Sequence, residues 1–102
     1  MPQERVQATL ERLPPSPGCY LFKNRQGKVV YVGKAKRLDQ RVRSYFQAGR
    51  VPHPRTDRLV AVVHDVDIVV TGSEAEALIL EATLVRQHQP WFNVRLKDDK
   101  SF

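Results

Sequence analysis

The chain has 102 residues, 17 of them Lys or Arg and 11 Asp or Glu, for a formal net charge of +6 at pH 7. That length holds one small domain with a single core, and 41% apolar residues exclude a disordered chain. A single cysteine, Cys19, excludes an intrachain disulfide and a cysteine-rich zinc site; no stretch reaches the ~20 apolar residues of a membrane span, and the positive excess favours a polyanionic partner.

In chain order, residues 4–13 place Val6, Leu10 and Leu13 at i, i+4 and i+7, one helical stripe. Pro14-Pro15-Ser16-Pro17-Gly18 stops that helix. Cys19-Tyr20-Leu21-Phe22 predicts a short buried strand, with Cys19 as a small core residue. The turn Asn24-Arg25-Gln26-Gly27 leads into Lys28-Val29-Val30-Tyr31-Val32, a β-branched and aromatic run that predicts a second strand, antiparallel to the first and ended by Gly33. A helix follows over roughly 36–47, then a basic, Pro-containing loop, a further helix over 55–64 and a third strand from Val66 to Thr71. Ser73 and Glu76 form an S-x-x-E capping box that opens a helix running to His88, stopped by Pro90. Trp91-Phe92-Asn93-Val94 is expected to be extended, and Lys97 to Phe102 to be a charged tail. The order α-β-β-α-α-β-α gives an α+β fold, a small three-stranded mixed or antiparallel sheet flanked by helices.

Several residues fit chemistry as well as structure. Glu81 has Ala77, Leu78, Leu84 and Val85 as its helical neighbours, and none of these pairs with a carboxylate. Its partner must come from outside the helix, as a cationic side chain or a metal ion, unless Glu81 stays half-exposed. Glu74 and Glu76, in the first helical turn, are explained by the cap and the macrodipole. Arg37, Arg41 and Tyr45 fall at i, i+4 and i+8, a polar and aromatic stripe expected roughly opposite Leu38, Val42 and Phe46; it suits either a phosphate or plain solvent. Tyr20 and Tyr31 sit in two strands expected to pair. Gly33 permits a tight turn or a close approach, and Lys34 places a cation near Tyr31 that would ease its deprotonation. His53, His64 and His88 have no metal-ligand spacing among themselves.

Gly18-Cys19-Tyr20 followed by Tyr31-Val32-Gly33, then Lys34, Arg41, Tyr45, Glu81 and Asn93, resembles the ordered signature of the GIY-YIG nucleases. The segments around those residues, together with His53-Pro54-Arg55-Thr56 and Lys97-Asp98-Asp99-Lys100-Ser101, are similar to the UvrC proteins of bacterial nucleotide excision repair. Cys19 departs from the Ile or Val usual there, a small apolar change at a core position. The resemblance implies a metal-dependent DNA endonuclease domain that cuts 3′ to a lesion. Glu81 would be the sole protein ligand of one Mg²⁺ or Mn²⁺, and Tyr31 the general base. Arg41 would hold the scissile phosphate. Tyr20 and Tyr45 would position water or phosphate, and Asn93 would support the site by hydrogen bonds. Lys34, Lys36, Arg37 and Arg41 would contact DNA. The implied partners are damaged duplex DNA and, in the intact protein, UvrB, with no membrane and a cytoplasmic setting. Residues 1–102 would form a single domain, monomeric alone, excised from a longer multidomain protein. A sequence-selective homing, restriction or junction-resolving GIY-YIG nuclease, a catalytically silent DNA-binding or protein-docking module and an RNA-binding adaptor are the alternatives.

Overall fold

Strand β1 (Gly18–Lys23) lies between β2 (Val29–Ala35) and β3 (Asp65–Val70), and both pairings are antiparallel. Around this sheet run α1 (Glu4–Glu11), α2 (Leu38–Phe46), α3 (Pro54–Val62), α4 (Glu74–His88) and α5 (Trp91–Val94). The computed structural model describes residues 4–47, 49 and 51–94, so the expected tail Lys97 to Phe102 lies outside the described residues. The sheet is wholly antiparallel, which settles the choice between mixed and antiparallel.

The alternation of strand side chains divides the molecule in two. Tyr20 and Phe22 of β1, with Tyr31 of β2 and Val66 and Ile68 of β3, point to one face. There they meet Val6 and Leu10 of α1, Leu38 and Val42 of α2, and Leu59 of α3. Leu13, the third residue of the expected stripe, lies beyond the helix end yet is buried in the same core. Burying side chains of this size contributes ~1.5–3 kcal/mol each, so this face carries most of the stability. On the other face Leu21 and Val32, with Val29, pack against Leu84 and Val85 of α4. Cys19 belongs to this second face, fully buried, its thiol donating to the Ala77 carbonyl at 3.2 Å.

Two expectations need correction. Gly33 does not end β2, which continues to Ala35; Gly33 pairs directly with Tyr20 inside the ladder. Residues 91–94 are not extended but form a helical turn, because the amides of Asn93 and Val94 both donate to the Pro90 carbonyl at 3.0 Å. Four residues behind a proline are too few to show either periodicity. The cap of α4 is present with a one-residue offset. Ser73 Oγ accepts from the Glu76 amide at 3.2 Å, while the Glu76 carboxylate reaches back to the Gly72 amide at 2.6 Å rather than to that of Ser73. Gln89, at φ 46°, ends the helix in the left-handed conformation.

Candidate active site

Three tyrosines meet on the core face near the β2 edge. Tyr20 comes from β1, Tyr31 from β2 and Tyr45 from the last turn of α2. Tyr31 lies across from Phe22 and Tyr20 across from Gly33, so the two tyrosines are diagonal neighbours, with ring centroids 6.1 Å apart. Tyr45 closes the group edge-on, 5.7 Å from Tyr20 and 5.0 Å from Phe22. Its hydroxyl lies 2.9 Å from the Tyr20 hydroxyl, and it also acts on the Tyr31 phenol. Tyr45 therefore joins the other two phenols in one cluster.

Tyr45 departs from the stripe expected of Arg37, Arg41 and Tyr45 opposite Leu38, Val42 and Phe46. Positions i and i+1 on a helix are only about 100° apart, so the stripe lies beside Leu38 and Val42 rather than opposite them, and its last member turns into the core. The other two members differ from each other. Arg37, at the N-cap of α2, donates from Nε and Nη2 to the two Asp39 carboxylate oxygens at 3.2 and 2.8 Å. That pairing holds the Asp39 carboxyl below its usual range. Arg41 is exposed, and its charge reaches the Tyr20 phenol.

The environments of Tyr20 and Tyr31 oppose ionisation. Burial drives the Tyr20 phenol far above its ordinary range, reinforced by Tyr45 and Tyr31 and opposed by Arg41. Tyr31 is pushed up to about 12, first by burial, then by Tyr45, with Arg55 acting in the opposite direction and Glu81 adding to the rise. The expectation that Lys34 assists Tyr31 is thereby corrected. Three residues along a strand reverse the face, so Lys34 stands with Cys19 on the side away from Tyr31, and the cation that favours the Tyr31 phenolate is Arg55.

On the second face Glu81 is half-buried where α4 crosses the sheet, close enough for its charge to act on both Cys19 and Tyr31. Among the described residues it has neither an ion pair nor a hydrogen bond from another side chain. Nor do the described residues contain any group of three or more His, Cys, Asp and Glu side chains able to hold a metal. A metal here would thus have fewer than three such side chains among the described residues, which suits a hard cation that keeps most of its water. About one turn before Glu81 on α4, Ala77 and Leu78 line a groove of about 770 Å³ between α2 and α4, with Lys34, Lys36, Arg37 and Arg41 along it and Glu74 on the opposite wall.

Asn93, from α5, grips the free edge of β2. Its Oδ1 accepts from the Val32 amide at 2.8 Å, and its Nδ2 donates to the Val32 carbonyl at 2.9 Å. The helical turn over 91–94 aims the side chain this way.

The profile of the UvrC-like GIY-YIG domain family matches residues 16–94. The chain belongs to that family. The UvrABC system protein C of Dehalococcoides mccartyi is 51% identical over 102 residues, all of this chain and 17% of the relative. That of Syntrophomonas wolfei is 50% identical over the same span. The chain therefore spans about a sixth of the length of the curated relatives it matches. Among solved structures, the GIY-YIG N-terminal endonuclease domain of UvrC from Thermotoga maritima, bound to its catalytic divalent cation, magnesium, superposes with a TM-score of 0.79. The two are 36% identical, over 90% of this chain and 99% of that one.

In this GIY-YIG domain the two triplets lie on adjacent strands and meet at the Tyr20–Gly33 pair of the β1–β2 ladder. A Cβ on Gly33 would collide with the Tyr20 ring, and one on Gly18 with the Val69 carbonyl and with Leu38. Both glycines thus make room for core groups of the chain itself. The residues brought together at the tyrosines include two with no role expected from the sequence. Arg55 and His53 line a second pocket, of about 190 Å³, with Tyr31, Tyr45 and Phe92. The segment His53-Pro54-Arg55-Thr56 had stood out in the sequence, but only the fold brings it to Tyr31.

Proposed function

We propose that this domain is a divalent-metal-dependent endonuclease that hydrolyses one DNA phosphodiester, making the incision 3′ to a lesion in bacterial nucleotide excision repair. Glu81 carries the reading. A half-buried carboxylate without a protein counter-charge among the described residues, on the same helix as one wall of a basic groove, is arranged for a cation beside a polyanion. Mg²⁺, the catalytic cation of the Thermotoga maritima domain, or Mn²⁺ fits this site, with Glu81 as its sole protein ligand. When bound, the cation supplies neutralisation of charge on the leaving 3′ oxygen.

The side chains of the chain do the rest. Arg41, exposed in the groove, holds the scissile phosphate and stabilises its added charge. Tyr31, in its phenolate form, takes the proton of the attacking water, and Arg55 is the cation that opposes the effect of burial and favours that form. Tyr45 and Tyr20 hold the Tyr31 hydroxyl in place and position water or phosphate. Asn93 keeps Val32, between Tyr31 and Gly33, at a fixed height on the sheet edge. Lys34 and Lys36 add phosphate contacts, as does Arg37 with the orientation set by Asp39. The products are a 5′-phosphate and a 3′-hydroxyl.

Contacts of this kind read no sequence, so binding falls steeply with salt, with Kd on the order of 10⁻⁴ to 10⁻⁶ M. Damage specificity comes from partners that place the strand, UvrB among them, in the cytoplasm of a bacterium. No helix among the described residues is long and apolar enough to cross a membrane.

The test is a Mn²⁺ soak with anomalous scattering on wild type and Glu81→Ala. A peak about 2.2 Å from the Glu81 carboxylate, absent in the variant, is the expected result. No peak, with Glu81 paired to a Lys or Arg of its own chain, would overturn the reading in favour of a silent DNA-binding or docking module.

A further inference from the structure

The pocket of about 190 Å³ beside Tyr31 and Tyr45 does not share a single residue with the basic groove. Arg41, Lys34 and Lys36 line the groove; His53 and Arg55 line the pocket. Arg41 acts on Tyr20 and Arg55 on Tyr31, and these two phosphate-suited cations are carried by different elements, α2 and the start of α3. Arg55 is half-buried and held in place by a hydrogen bond from Nη2 to the Phe92 carbonyl at 3.4 Å, while His53 is exposed at the mouth. At this volume the pocket is smaller than the ~300 Å³ at which ligand sites for larger molecules begin, but it is roomy for one tetrahedral anion and a few waters. Its lining residues include Tyr31, Tyr45, His53, Arg55 and Thr56. Side chains of these types can donate hydrogen bonds to an anion.

We propose that Arg55 and His53 form a second phosphate subsite, which binds a phosphate next to the scissile one on the same DNA strand. The strand then passes over Tyr31 and Tyr45 with one phosphate at Arg41 and its neighbour at Arg55, and the bond to be cut is fixed from both sides. Arg55 suits the task because its planar fork takes phosphate oxygens in pairs, and its anchoring to Phe92 orders it before DNA arrives. The same charge acts on the Tyr31 phenol, so a strand seated at Arg55 is seated beside the group that takes the proton. This subsite rests on the nuclease reading above, but its test does not require cutting.

The 102-residue chain is titrated with inorganic phosphate while its backbone amides are followed by NMR. Separately, binding to an oligothymidylate is measured over a range of salt. Two sets of amides are expected to shift independently, one around residues 37–41 and one around residues 53–57. Arg55→Met removes the second set only and Arg41→Met the first only. Arg55→Met also weakens oligonucleotide binding about tenfold and lowers the slope of log K against log salt by about 0.7, the loss of one single-strand phosphate contact. Arg55→Lys keeps the slope, since it keeps the charge. His53→Ala, at an exposed position that does not threaten the fold, weakens phosphate binding at 53–57 by a smaller factor. Arg58→Met, one turn along α3 and exposed, changes neither measurement.

The subsite is overturned if the 53–57 shifts survive Arg55→Met and His53→Ala, if Arg41→Met abolishes them too, or if Arg58→Met lowers the slope as much. Phosphate binding at Arg55 with an unchanged slope on DNA overturns it as well, leaving an anion site with no part in strand binding. Shifts at 53–57 without any at 37–41 would leave the subsite standing and sink the role given to Arg41.

Discussion

The Asn93 side-chain amide pairs with both backbone groups of Val32, accepting from the amide at 2.8 Å and donating to the carbonyl at 2.9 Å. β2 has a sheet partner on one side only, so Asn93 supplies on the free side what a fourth strand would have supplied. Asn93→Ala leaves two part-buried backbone groups without that partner. The expected loss is about 1–3 kcal/mol of unfolding free energy, seen as a lower urea midpoint with an unchanged slope. Asn93→Asp, which keeps the acceptor and loses the donor, should also be destabilised. Wild-type stability for Asn93→Ala would mean that water replaces the amide without cost.

The Tyr20 hydroxyl is deeply buried and has the Tyr45 hydroxyl as its partner. Tyr45→Phe leaves it unsatisfied, which should cost about 1–3 kcal/mol, and Tyr20→Phe should cost less because Tyr45 is nearer solvent. The double variant is expected to be more stable than the sum of the singles, since removing both partners leaves nothing unpaired. Additive losses in urea denaturation would show that the two hydroxyls do not interact.

Gly33→Ala places a methyl group against the Tyr20 ring. Tyr20 is fixed by Phe22 and Tyr45, so the ring has little room to yield, and a loss of roughly 1–3 kcal/mol is expected. Displacement of the ring should also break the Tyr20–Tyr45 hydrogen bond, visible in a crystal structure of the variant. An unchanged melting temperature would show that the close approach carries no constraint.

Tyr31 is raised to about 12 in the folded chain and lies near 10 when unfolded. The folded state thus favours the neutral phenol. The stability this gives is fully present below pH ~10 and is lost as pH rises through about 12; two units correspond to roughly 2–3 kcal/mol. Cys19, raised to about 11 by burial and by Glu81, acts in the same direction from a lower starting point. Alkaline denaturation should therefore begin between pH 9 and 12, and Tyr31→Phe should flatten the upper part of that decline. An identical alkaline profile for Tyr31→Phe would place the sensitivity elsewhere.

Much of this domain is determined by the sequence alone, because the signals are local. The apolar and β-branched runs of β1 and β2, the stripe of Val6 and Leu10, the Ser73 cap and Pro90 act over a few residues, and each of those elements starts within about two residues of where it is expected. Glu81 is conspicuous for the same reason, a carboxylate whose helical neighbours are all apolar. What spacing does not contain is which face a residue takes once its strand is in the sheet. Lys34 is three residues from Tyr31 and on the opposite side, whereas Arg55 is 24 residues away and its charge reaches the phenol. Gly33 looks like a strand end until Tyr20 is seen to occupy the space its missing side chain leaves. Residues 91–94 become a helical turn with Asn93 bonded to the β2 edge, a contact across 61 residues. Tertiary packing decides these features because each depends on a partner that the chain brings close only by folding.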